Sequence, residues 1–127
     1  MLFYETKYVN IVWDERKRIV ITTFTGYMNS EQLRAAYEKV HECVVKNKAR
    51  LALSDCRKYV TMIPEDQKWF NETFFPKMVS AGLKKVAVII PENIVQKQVL
   101  EKVESTLSST ASRNFASVEA GLAWLQN

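Results

Sequence analysis

Two apolar runs constrain this chain more than any other feature: residues 50–54, Arg-Leu-Ala-Leu-Ser, and residues 85–90, Lys-Val-Ala-Val-Ile-Ile. Both read as strands. Neither alternates polar with apolar residues, so both faces of each strand are expected to be covered. Segments with helical periodicity precede and follow each run. Strands alternating with helices build a largely parallel sheet, and the crossovers between them are right-handed.

The other elements fit around this frame. Residues 8–13 and 18–25 are rich in β-branched and aromatic residues and flank Asp14-Glu15-Arg16-Lys17, the pattern of a hairpin. Residues 2–4 are expected to extend its first strand. After Gly26, Asn29 and Gln32 are spaced as a capping box, and Met28 and Leu33 as a hydrophobic staple. Leu33, Tyr37, Val40 and Val44 mark the buried stripe of the first helix. Pro64, Glu65 and Asp66 suit the start of a second helix, which ends at Gly82 and carries Pro76 as a kink. A third helix is expected over residues 93–108, a short strand over 113–116, and a fourth helix capped by Ser117. The expectation is one α/β domain over residues 1–127. Its sheet is mixed and mostly parallel, opened by an antiparallel hairpin, with four helices. If each strand joins beside the one before it, the helices collect on one face.

Composition removes several classes of function. A chain of 127 residues with 47% hydrophobic and 25% charged residues is long and apolar enough to bury a core, and not disordered. Met1 to Asn10 lacks the apolar core of a signal peptide. No apolar run approaches the roughly 18 residues of a membrane span. Two cysteines, Cys43 and Cys56, are too few for a disulfide framework or a structural zinc site, and fit semi-buried thiols in a reducing cytoplasm. One histidine, His41, with no metal-ligand spacing gives metal catalysis no footing, and no cofactor is expected. A net charge of +4 falls short of a nucleic-acid-binding composition.

Two stretches carry a likeness to known proteins: PEDQKWFNETFFPKMVSAGLKKVAVIIPE (64–92) and RNFASVEAGLAWL (113–125). With the element order, they resemble the SpoIIAA-like fold of STAS domains and, more loosely, the Sec14-type lipid-transfer domain. The likeness is to small stand-alone bacterial proteins. It implies a fold and a small regulatory or binding role, and no substrate. Antagonists of the SpoIIAA type carry a phosphorylatable serine after an aspartate, in the loop between a central strand and its helix. Here Cys56 and Arg57 follow Asp55, and the next hydroxyl is Thr61. That departure puts the phospho-switch in doubt. Thr61 is then either a phosphosite or a residue that turns the backbone into the second helix.

Three regions are candidates for function. Ligands of open α/β sheets gather at the carboxyl ends of the strands. Asp55, Gly26 and Pro91-Glu92 are expected there, with Glu65 and Asp66 at the border. The bland alternative has Asp55 accepting backbone N–H groups and fixing a loop. Cys56 as a nucleophile needs a base. His41 is expected near the opposite ends of the strands, roughly 15 Å away. Arg57 and Lys58 would lower the thiol pKa.

The second region is aromatic. Phe70, Phe74 and Met78 share one helical stripe, whereas Trp69 and Phe75 lie off it. Neighbouring helices, a two-fold dimer contact, or a pocket for a lipid-like or other apolar ligand would cover that second face. The third region is basic. Arg16-Lys17-Arg18, Lys46/Lys48/Arg50 and Lys84-Lys85 all precede strands and gather on the edge opposite Asp55. They suit either a phosphate-rich partner or the carbonyl ends of helices.

The sequence therefore leads to a non-catalytic cytoplasmic binding module that associates with itself, a protein partner or a small ligand. The alternative is a carrier of a lipid-like or apolar ligand. The third reading is a carboxylate enzyme at the Asp55 edge. The binding residues expected are Asp55, Cys56, Thr61, Asp66, Trp69 and Phe75.

Overall fold

The computed structural model describes residues 1–59, 63–91, 105–107 and 110–127. The strands are β1 Leu2–Glu5, β2 Val9–Asp14, β3 Ile19–Gly26, β4 Leu51–Tyr59, β5 Lys85–Ile89, β6 Ser105–Leu107 and β7 Thr110–Phe115. They form one sheet in the order β1-β2-β3-β4-β5-β7-β6. The first three are antiparallel neighbours, β3, β4, β5 and β7 run parallel, and β6 returns antiparallel to β7.

Helix α1 is Ser30–Asn47. Its capping box forms as the spacing predicts: Gln32 N–H donates to Asn29 Oδ1 at 2.8 Å, and Asn29 N–H to Gln32 Oε1 at 3.0 Å. Leu33, Tyr37, Val40 and Val44 are all buried. Helix α2 runs in three consecutive pieces: Pro64–Trp69, a π-helical turn Phe70–Phe74, and Phe75–Ser80. Pro76 explains the middle piece. Its ring has no N–H to give and crowds the preceding turn, and a widened turn just before it relieves that conflict. Gly82 then ends the helix with φ +101°, a conformation that favours glycine. Helix α3 is Val118–Leu125, capped by the Ser117 hydroxyl, which accepts from Ala120 N–H.

The sheet separates two apolar layers. Val9, Ile11, Trp13, Val20, Phe24, Ala52 and Val86 face α1 and α2. Ile19, Leu53, Ala87 and Ile89 face Leu125 of α3. Both faces of β4 and β5 are thus covered, as their unbroken apolar runs demand.

The structure corrects the sequence reading in four places. Leu2–Glu5 is a separate strand: the Thr6 hydroxyl accepts from Tyr8 and Val9 N–H, turning the chain back so that β1 lies on the outer side of β2. Strand β4 continues five residues past Ser54. A bulge sets Cys56 and Arg57 of β4 opposite Phe24 alone, and pairing with β3 resumes at Thr25–Lys58 and Gly26–Tyr59. The helices lie on both faces. Helices α1 and α2 connect neighbouring parallel strands and share a side, as crossovers of one hand must; α3 follows the last strand, is no crossover, and covers the face left bare. Of the expected third helix, Ser105–Leu107 is strand, and the rest lies outside the described residues. Three helices stand among the described residues where the sequence reading expected four.

Candidate functional site

The sheet divides the residues expected at the carboxyl rim. Asp55 pairs in register with Ile89, on the α3 side. Arg57, two residues on, donates to the Asp55 carboxylate three times: from its backbone N–H at 3.2 Å, Nε at 3.0 Å and Nη2 at 2.7 Å. These bonds hold the Asp55 carboxyl below the usual carboxylate range. Asp66 stands on the other side, at the start of α2. It is buried, accepts from the Ser30 hydroxyl at 2.8 Å, and pairs with Arg34 of α1 at 3.4 Å. Each carboxylate has its own structural partners, and the two do not form an acid–base pair.

Cys56 lies across the strand from Asp55, half-buried against the α1–α2 layer. Burial pushes its thiol up to about 12, and the negative charge of Asp55 adds to the shift. The expectation that Arg57 and Lys58 would activate it is overturned, because Arg57 is spent on Asp55. A thiol reagent at pH 8 is expected to modify Cys56 much more slowly than free cysteine. Stoichiometric labelling within the mixing time would contradict this. Thr61 lies outside the described residues.

Trp69 and Phe75 turn to different surroundings. Trp69 stacks on Phe74 with ring centres 5.6 Å apart, and the Arg34 guanidinium covers it at 5.2 Å. Its second face is therefore covered by α1, within one copy of the chain. Phe75 meets Phe70 at 6.0 Å and lines a cavity.

That cavity lies on the α1–α2 side of the sheet. Its volume is about 240 Å³. Phe70, Phe74, Phe75 and Met78 of α2 form one wall, and Tyr37 and Val40 of α1 another. The floor is the sheet: Ala52, Ser54 and Cys56 of β4, Val86 and Val88 of β5, Ser112 of β7. No charged side chain lines it among the described residues. Its polar groups are the hydroxyls of Ser54, Ser112 and Tyr37 and the Cys56 thiol.

Sequence reasoning found Cys56 and Phe75 but missed Ser54, Ser112, Val88 and Tyr37. Tyr37 reads correctly as core. The local signal for an irregular wall was Pro76, which follows the π-helical turn Phe70–Phe74. Among the described residues, no group of three or more His, Cys, Asp or Glu side chains stands close enough to hold a metal ion. Nor is any helix there long and apolar enough to cross a membrane.

His41, on the outer part of α1, shows how acid should affect the fold. Burial lowers its pKa below the ordinary 6.5, and Lys77 lowers it further against Glu38 and Glu42. The folded chain therefore favours the neutral ring. That stability is complete above pH 6.5 and is lost as pH falls below it towards the folded-state value. Asp55 acts in the same direction lower down, contributing above its unfolded value near 3.8 and losing that contribution as pH falls through its folded value. Melting temperature should fall in two steps on acidification, and a His41→Gln variant should lack the upper one. A wild-type melting temperature that rises from pH 7.5 to 5 would contradict this.

Compared with known protein families and with curated proteins, the chain matches no family model and no individual protein.

Proposed function

We propose that this chain is a non-catalytic cytoplasmic binding module of the SpoIIAA-like type whose ligand is a small neutral apolar molecule. One observation carries the reading: a cavity of about 240 Å³ under α1 and α2, walled by aromatic and aliphatic side chains. It exceeds the roughly 150 Å³ apolar cavity that accommodates benzene. A charged ligand group would lose its hydration there with no ionic partner, which costs more than the walls return. A neutral ring or short chain with one hydroxyl or carbonyl suits it, with Ser54, Ser112 or Tyr37 as hydrogen-bond partner.

The carboxylate-enzyme reading has little support, since Asp55 and Asp66 face opposite sides of the sheet. Self-association is not required to cover Trp69. Strand order and the likeness of residues 64–92 and 113–125 support the SpoIIAA-like assignment. Native mass spectrometry of gently purified protein tests the function. The expected spectrum holds a population heavier by one small neutral molecule, released on unfolding. Repeated bare protein from several growth conditions would count against the proposal.

A further inference from the structure

The opposite edge of the sheet carries a second concavity, of about 360 Å³, lined by Arg18, Lys48, Arg50, Lys84, Lys85 and Asn127 around an apolar floor of Leu51 and Leu125. No acidic side chain lines it among the described residues. Cations here are expected in part, because α1 and α3 end at this edge and their last carbonyls attract positive charge. Arg18 and Lys85 do that work. Arg18 Nη2 donates to Asn47 O at 3.0 Å, and Lys85 Nζ donates to Trp124 O at 3.2 Å and Asn127 O at 3.0 Å. Lys48 and Arg50 are exposed at the rim. Like charges gathered this closely repel one another, and the repulsion is relieved by an anion.

The backbone adds an independent observation. Among the described residues, only two non-glycine residues have positive φ: Arg18 at 57° and Lys48 at 51°. Both line this concavity. Such positions suit glycine or asparagine, and a long branchless cation there costs conformational energy. Lys48 ends α1 where glycine is the usual occupant. Strained backbone is retained where the side chain has a task.

We propose that this concavity is a binding site for a compact polyanion, a small molecule bearing two or more linked phosphate groups. Arg50 and Lys48 meet the anion from the rim, Lys85 adds a charge on the inner side, and Arg18, which is held by Asn47 O and by Glu15 at 3.8 Å, adds to the positive field there. Leu51 and Leu125 leave room for an apolar portion. The site is separate from the apolar cavity, which lies on the α1–α2 face near the middle of the sheet.

Calorimetric titration of the whole chain with pyrophosphate at 0.15 M salt tests this. Binding is expected, weakening steeply as salt rises. Lys48→Gly should lower affinity at least tenfold and raise the melting temperature, because glycine relieves the strained turn. Arg50→Gln, which leaves the backbone alone, should lower affinity similarly with no thermal change. No heat with pyrophosphate would overturn the proposal, and so would variants that bind as tightly as wild type. Tight binding of a single-stranded oligonucleotide with none of pyrophosphate would also overturn it, in favour of a nucleic-acid surface.

Discussion

Replacing Phe74 by alanine should destabilise the domain by about 3–5 kcal/mol, enough to lose most of the net stability of a chain this size. Phe74 is 3% exposed and stands at the centre of the aromatic cluster. Its ring centre is 4.9 Å from Tyr37, 5.4 Å from Phe70 and 5.6 Å from Trp69. Removing it takes away the transfer energy of a buried aromatic and several ring contacts, and joins the new void to the existing cavity. Collapse cannot repair this, because the π-helical turn and Pro76 fix the wall on either side. Urea denaturation measures the loss. A cost under about 1 kcal/mol would mean that the wall is much softer than its packing indicates.

Gly121→Val should be the second large loss, at about 1–3 kcal/mol or more. Gly121 is buried inside α3, where glycine is otherwise a poor choice by roughly 1 kcal/mol relative to alanine. A Cβ placed there would stand 2.8 Å from Ile89 Cδ1 and 3.3 Å from both Ala87 Cβ and Leu53 Cδ1. Ile89 is fully buried and Ala87 Cβ is fixed to the sheet, so neither yields easily and valine must push the helix off β4 and β5. The small gain in helix propensity is overwhelmed. A melting temperature at or above wild type would show that α3 sits further from the sheet than these distances allow.

Local chemistry made much of the fold legible. The Asn29–Gln32 box, the stripe through Leu33, Tyr37, Val40 and Val44, and the stop at Gly82 are decided by residues within one helix. The parallel pairing of β4 with β5 follows from apolar runs that need cover on both faces. The misses arose where distant residues decide. Asp55-Cys56-Arg57-Lys58 is too polar to read as strand, and it becomes one because β3 offers a ladder on its flank and the bulge absorbs the extra residue. Leu2–Glu5 reads as a continuation until the Thr6 hydroxyl turns the chain. The side taken by α3 was illegible because the handedness rule governs crossovers and α3 is none.

The candidate site was legible only in part, for the same reason. Cys56 and Phe75 stood out as a thiol after an aspartate and an aromatic off its stripe. The cavity they help line belongs to five elements. Ser54 on β4 and Ser112 on β7 are separated by β5, and nothing near either in the sequence announces the other. Asp66 was expected at a rim open to ligand. Instead it holds the starts of α1 and α2 together through Ser30 and Arg34.

If the cavity is a place for a ligand, filling it should abolish binding. Val88 is half-buried on its floor, and Val88→Trp would occupy the space with an indole. Calorimetric titration with 1-naphthol, a neutral bicyclic probe, should show one binding site in wild type. The variant should bind at least tenfold more weakly while keeping its circular dichroism and melting temperature. Equal affinity in the two folded proteins, or no binding of 1-naphthol or 1-octanol to wild type, would contradict the central claim.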